Sequence, residues 1–165
     1  MTRSLTSMGE ESIRAVKKAM RLLEHMPRTE KGLTDRLIQE GFAPEAVQDA
    51  LDYVRSFGYL NDRQYAESYI SGRIGSKSRQ RIMQELCQKG IARETASLAW
   101  EEISAMEEPD EKAMICRQIE KKYPAGSRIE EKELRRLYGY LARRGFQAGD
   151  IFSALEELDI TSEKQ

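Results

Sequence analysis

The chain has 165 residues, 33% of them charged and 39% hydrophobic, with a mean hydropathy of −0.67. It has room for one or two ordinary domains or a short array of small repeats, and amphipathic elements must supply the core. No run approaches the roughly 18 apolar residues of a membrane span, and a balance of 27 Lys and Arg against 28 Asp and Glu excludes a globally basic nucleic-acid binder without excluding a local basic face.

The recurring period is helical. Met1–Glu11 is polar and lacks the apolar core of a secretory signal, so a cytoplasmic protein with no membrane contact is expected. Ile13, Val16, Met20 and Leu23 then form one face, widened by Ala19 and Leu22, until Pro27 interrupts it. A second helix carries Leu33, Leu37 and Ile38 and stops at Gly41. Pro44 suits the first turn of a third, because the N–H it lacks would be unpaired there anyway. That helix presents Val47, Ala50, Leu51 and Val54 and ends at Gly58, after which Tyr59 and Leu60 are expected to fold back over its last turn. Tyr65, Ala66, Tyr69 and Ile70 share the next face. No clear period-2 run of β-branched residues occurs, so the chain reads all-α.

Aligning Gly41, Gly90 and Gly145 exposes an internal repeat. Four residues earlier stand Leu37, Leu86 and Leu141; eight earlier, Leu33, Ile82 and Leu137. The residue after each glycine is Phe42, Ile91 or Phe146, and positions +6, +9 and +10 are apolar in every copy. A glycine with φ > 0 closes the second helix, and the apolar residue after it covers the last turn. The expected architecture is three tandem three-helix-bundle repeats, residues 12–60, 61–106 and 109–158, forming an elongated, curved array with flexible termini at 1–11 and 159–165. Each bundle is too small to be stable alone, so neighbours must support one another. Residues 101–111 contain six acids, no Lys or Arg, and Pro109, and read as a solvated acidic hinge.

Signs of reactive chemistry are sparse. Cys87 and Cys116 form no CxxC and read as small packing residues. The sole imidazole, His25, sits at a helix end, where it complements the dipole, and no zinc ligand set or other cofactor site is expected. Most carboxylates share a helix face with a cation, as Glu85 does with Lys89; Glu40 stands out as unpaired. The segment Gly72–Ser78 has the look of a phosphate loop but lacks a preceding strand, and reads as an interhelical loop. No enzyme is expected.

The cations are more informative. Between Arg63 and Trp100 seven Lys or Arg oppose three acids, a local charge of +4. Arg73, Lys77, Arg79 and Arg81 concentrate around a Gly/Ser loop and a helix N-terminus, with Lys89 and Arg93 beyond. Arg135, Arg136, Arg143 and Arg144 make a second cluster. Cations at a helix N-terminus are unfavourable unless an anion arrives, which points to nucleic-acid phosphate or an acidic protein face. A helix-turn-helix reading fits less well: Leu stands four residues before each glycine, where that motif usually has a small residue, and the helices Glu45–Val54 and Glu94–Ile103 expose more acids than bases.

One stretch carries a family likeness. Gly58-Tyr59-Leu60-Asn61-Asp62, followed by Tyr65-Ala66, Tyr69, Arg81-Ile82, Glu85-Leu86 and Lys89-Gly90-Ile91, resembles the RecX family of bacterial recombination regulators, and the threefold helical pattern extends the likeness over residues 12 to 158. The resemblance implies a non-enzymatic, monomeric modulator of the RecA recombinase in DNA repair, recombination and the SOS response. Such a protein lies in the groove of the RecA filament on single-stranded DNA, suppresses ATPase and strand exchange, and limits filament growth. It would have no catalytic residue, metal or cofactor. Near-neutral charge departs from a more basic family habit, which argues against strong DNA affinity of its own. On this reading Arg73, Lys77, Arg79, Arg81, Lys89 and Arg93 contact recombinase or DNA, with Arg135, Arg136, Arg143 and Arg144 as a second anchor. The alternative is a tandem helical DNA-binding protein acting without a recombinase.

Overall fold

The computed structural model describes residues 5–106 and 109–163. Among them are nine α-helices: α1 Glu10–His25, α2 Glu30–Gln39, α3 Pro44–Ser56, α4 Asp62–Arg73, α5 Arg79–Gln88, α6 Arg93–Ser104, α7 Glu111–Glu120, α8 Glu131–Arg143 and α9 Ala148–Glu157. They follow the expected triplets. Gly41, Gly90 and Gly145 all take positive φ, between 90° and 95°, and Phe42, Ile91 and Phe146 donate their N–H back to Leu37, Leu86 and Leu141. Each second helix therefore closes with the fold-back that the aligned glycines imply.

The fold is all-α, as expected, with one addition, a pair of three-residue strands. β1 (Arg128–Glu130) and β2 (Thr161–Glu163) pair in parallel, with Ile129 opposite Ser162. Three residues are too few to show an alternating pattern, and that is why the sequence gives no sign of them. Residues 159–165, expected to be a free end, thus contain a paired strand, and Ile160 beside it is buried. Met8, within the other expected tail, is buried too. Leu5–Ser7 form a 3-10 turn and Glu10 and Glu11 open α1, so this tail too is partly ordered; residues 1–4, 164 and 165, with Glu107 and Glu108 of the acidic connector, lie outside the described residues.

By packing, the chain forms two compact units. The first holds residues up to Tyr69 together with Glu85–Glu101; the second holds Ile70–Gln84 and the chain from Glu102 onward, so the division runs through α4, α5 and α6. In the first unit α1 packs chiefly on α3, burying Ala15, Val16 and Ala19 against Val47, Ala50 and Val54. Leu33 and Leu37 of α2 close that core. In the second unit α7 packs on α9 and α8 borders the strand pair, around Ile115, Ile119, Leu137, Leu141 and Ile151.

Each unit contains a joint of the same design. In the first, Thr29 caps α2 by accepting the Gly32 N–H at 3.0 Å, and its hydroxyl donates to the Lys89 carbonyl at 2.8 Å. The next N–H of α2, from Glu30, donates to Asp62 Oδ1 at 2.8 Å. Gly90 lies against Lys31 so closely that a Cβ there would stand 2.9 Å from Lys31 Cγ, with other atoms of that side chain nearer still. In the second unit Ser78 caps α5 by accepting the Arg81 N–H at 3.1 Å, and its hydroxyl donates to the Arg144 carbonyl at 3.4 Å. The Arg79 N–H donates to Glu111 Oε1 at 2.8 Å, and Gly145 abuts Ser78 and Arg81. Thr29, Glu30 and Asp62 recur as Ser78, Arg79 and Glu111, each 49 residues later. A capped helix start thus receives the glycine turn of the following triplet, and a carboxylate from that triplet's first helix takes the next free N–H.

Candidate partner-binding surface

The first basic cluster gathers around the second joint. Ile74 to Ser78 link α4 to α5 as an interhelical loop: Arg73 C=O accepts the Ser76 and Lys77 N–H groups, and Arg79 and Arg81 open α5. Arg144 joins them, donating from Nη1 to the Ser76 carbonyl at 3.4 Å. Of the second cluster, Arg144 alone is brought to this loop. The electrostatic premise changes, however. The N-terminus of α5 already has its anion in Glu111, so no external phosphate is needed to satisfy it. Arg73, Lys77, Arg79 and Arg81 are each engaged with other groups of the chain. Lys89 and Arg93 belong to the first unit; the Lys89 ammonium lies 5.6 Å from the centre of the Tyr69 ring, whose hydroxyl donates to Glu85 at 2.9 Å.

The other expected polar residues sort differently. Glu40, read as unpaired, meets Arg36 at 3.1 Å and Lys18 at 3.6 Å. Cys87 is exposed and so is not a packing residue. Cys116 is half-buried, and burial, then the Glu157 charge, pushes its thiol above the ordinary value. His25 is exposed at the last position of α1. No group of three His, Cys, Asp or Glu among the described residues could hold a metal ion.

The solvent face of α8 is an open cationic surface. Leu137 and Leu141 bury one side of this helix. The opposite side, at helical spacing, carries Lys132, Arg135, Arg136 and Arg143, about 16 Å from end to end. Lys132, Arg135, Arg136 and Arg143 are exposed, and none forms an ion pair among the described residues. Arg143 folds back over Gly139, where a Cβ would stand 3.2 Å from its Nη1. Arg144 instead turns toward the Tyr140 ring, 4.7 Å from its centre, with Lys122 at 4.0 Å. Lys132 escaped the sequence reading because it lies outside the Arg-Arg pairs; a helical wheel of residues 131–143 shows it on their face.

The repeat explains why this face is open. Counting back from each glycine, Lys31 stands ten before Gly41 and Arg81 nine before Gly90, and both are covered by the glycine turn of the next triplet. The corresponding positions before Gly145 are Arg135 and Arg136, which nothing in the described chain covers. Moreover α8 has 13 residues where α2 and α5 have 10. Its extra turn lies at the start, and Glu133 occupies the place of the capping Thr29 and Ser78. The capped start that receives a following triplet is missing from this third copy.

Three family models match the chain: the first three-helix domain of RecX at residues 15–53, the second at 61–99 and the third at 110–155. Among curated proteins named Regulatory protein RecX, that of Caldanaerobacter subterraneus is 33% identical over 88% of this chain and 71% of its own length. That of Thermobifida fusca is 31% identical over 84% and 75%. The chain spans 65% of the length of the Clostridium perfringens relative, at 29% identity over 83% of this chain. Two crystal structures share the fold: RecX from Lactobacillus salivarius, with a TM-score of 0.70 at 20% identity over 92% of this chain and 99% of that one, and a second RecX with a TM-score of 0.60 at 22% identity over 90% and 71%.

Proposed function

We infer the function from two premises: the chain belongs to the RecX family, a family of regulatory proteins, and the solvent face of α8 is an uncovered cationic stripe. On these premises the protein is a non-enzymatic regulator that lies against the RecA filament on single-stranded DNA and inhibits its ATPase, strand exchange and extension. The α8 stripe is the observation that carries this reading. Four cations without an ion-pair partner among the described residues favour an anionic partner, either the acidic face of the recombinase or DNA phosphate within the filament. Arg73, Lys77 of the interhelical loop, and Arg79 and Arg81 at the start of α5 form a second contact with Arg144, and Lys89 and Arg93 contribute from the first unit. Many moderate contacts along a polymer reinforce one another, so a nearly neutral chain can still bind it tightly.

The test is a titration of the full chain on bare single-stranded DNA and on the same DNA coated with RecA, alongside RecA ATPase. Preference for the coated strand, and loss of ATPase inhibition in Arg135→Glu/Arg136→Glu with helical content unchanged, support the reading. Wild-type inhibition by that variant removes α8 from the interface. Tighter, steeply salt-dependent binding to bare DNA favours a DNA-binding protein that needs no recombinase.

A further inference from the structure

We propose that the first unit carries a separate docking groove for an acidic, apolar peptide segment of a protein partner. The groove, about 390 Å³, lies between α1 and the end of α3. Met20 lies in its wall among the aliphatic side chains of α1, Tyr53, Phe57 and Tyr59 supply three rings, and Lys17 and Arg21 stand at its edge. Phe57 packs on Tyr53 with centroids 4.9 Å apart and stacks on Tyr59 at 6.0 Å. Even so, Phe57 remains 56% exposed and Tyr59 53%. Of Tyr59 and Leu60, both expected to fold back over the helix, Leu60 is buried, at 4% exposed, and the Tyr59 ring is not.

Closing α3 does not require these exposed rings. The end of α9 is built the same way: Asp159 takes φ 54° as Gly58 takes 75°, and Ile160 donates to Leu155 C=O as Tyr59 does to Val54 C=O. There the flanking residues are Leu158, half-buried, and Ile160, 7% exposed. At the matching places in the first unit two large aromatics face water instead. Contiguous exposed aromatic surface of this kind marks an interaction site.

The charge around the groove selects the occupant. Arg14, Lys17 and Arg21 follow one another along α1, exposed and without an ion pair among the described residues. The acids nearby on α3 are occupied: Asp52 by Arg55 and Gln48, and Asp49 by Ser12. Glu24 lines the far end, so the partner's carboxylates belong beside Lys17 and Arg21. An aliphatic wall containing an adaptable Met suits branched or aromatic side chains better than stacked bases. This proposal does not depend on the RecA reading, and its test uses neither RecA nor the α8 residues.

The experiment is a display selection of random dodecapeptides on the full chain, counter-selected on Phe57→Ser/Tyr59→Ser, followed by fluorescence anisotropy of the selected peptides and of a labelled oligothymidine. The expected peptides are net negative with at least two large apolar side chains. Their affinity falls about tenfold or more in Phe57→Ala and severalfold in Lys17→Glu/Arg21→Glu, with far-UV circular dichroism unchanged. Failure to enrich any peptide, enrichment of cationic ones, or affinity indifferent to Phe57 and Tyr59 would each overturn the proposal. Oligothymidine binding that is lost in Phe57→Ala would reassign the groove to nucleic acid.

Discussion

Replacing each of the three aligned glycines by alanine separates the closing of a helix from the joining of two triplets. Gly41, Gly90 and Gly145 share nearly the same φ, so the backbone penalty of an L residue is common to all three, about 1–2 kcal/mol. At Gly41 the new Cβ meets nothing within 4 Å, so that cost is all that is expected there. At Gly145 it would drive into Ser78 Oγ and Arg81 Cβ and stand 3.2 Å from the Arg81 Cα, which no side-chain rotation can move. Overpacking of this kind adds about 1–3 kcal/mol. Gly90→Ala should fall between, because its obstacle is the Lys31 side chain, whose outer atoms can swing away. The readout is urea unfolding of the three variants, followed by circular dichroism and by the fluorescence of Trp100. The order of loss should be Gly41→Ala, then Gly90→Ala, then Gly145→Ala. Equal losses at Gly41 and Gly145 would refute the joint as a packed contact and leave the glycines as helix closures alone.

Ser78→Ala removes both a cap and the hydroxyl bond to Arg144 C=O and should cost about 1–2 kcal/mol; Thr29→Val should match it, and the same unfolding curves would show it. Leu86→Ala, at a fully buried position, should cost about 2–5 kcal/mol, whereas Arg135→Ala on the open face should leave the unfolding midpoint nearly unchanged. Iodoacetamide followed by mass spectrometry should modify exposed Cys87 well before half-buried Cys116. Burial raises the Cys116 thiol above its ordinary 9.0, so its contribution to stability is complete below that value and is lost as pH rises through the higher folded one; Cys116→Ala should flatten that alkaline fall.

The helices were legible because each carries its own record: an apolar stripe such as Ile13–Val16–Met20, a cap, a glycine stop. Local chemistry of this sort is written in adjacent residues. The joints join residues 60 and 66 positions apart, Thr29 to Lys89 and Ser78 to Arg144, and no short window contains both halves. A trace was nevertheless present, since Thr29-Glu30 and Ser78-Arg79 stand in register before the aligned glycines and Asp62 and Glu111 follow at the same spacing. The electrostatic reading of the α5 N-terminus failed for the same reason: its counterion, Glu111, is remote in sequence. Glu40 misled because its partner was sought at i+4, where Pro44 stands, while Arg36 lies four residues behind and Lys18 on another helix. The strand pair had no periodic signature to read, and the bareness of α8 becomes visible only when its two counterparts are seen covered.

That comparison links fold to proposed function. In a stacked repeat each copy's outer surface decides what can pack on it. In α2 and α5 the first turn offers a capped start, a free N–H and a face that accepts a glycine turn. In α8 the helix begins one turn earlier, Glu133 replaces the capping hydroxyl, and β2, which borders α8, is paired to the strand immediately before it. Another triplet placed by the same joint would find no hydroxyl to donate and no exposed second N–H at that level. What remains at the former docking positions is Arg135 and Arg136, with Lys132 and Arg143 on the same face. Stacking on this surface would confine four like charges in a dry contact, at a cost that rises steeply as water leaves. An anionic partner reverses the sign of that term. The residues that stand where the joint would form therefore bear on what can occupy this face, and charge reversal at Arg135 and Arg136 tests that without disturbing the core beneath them.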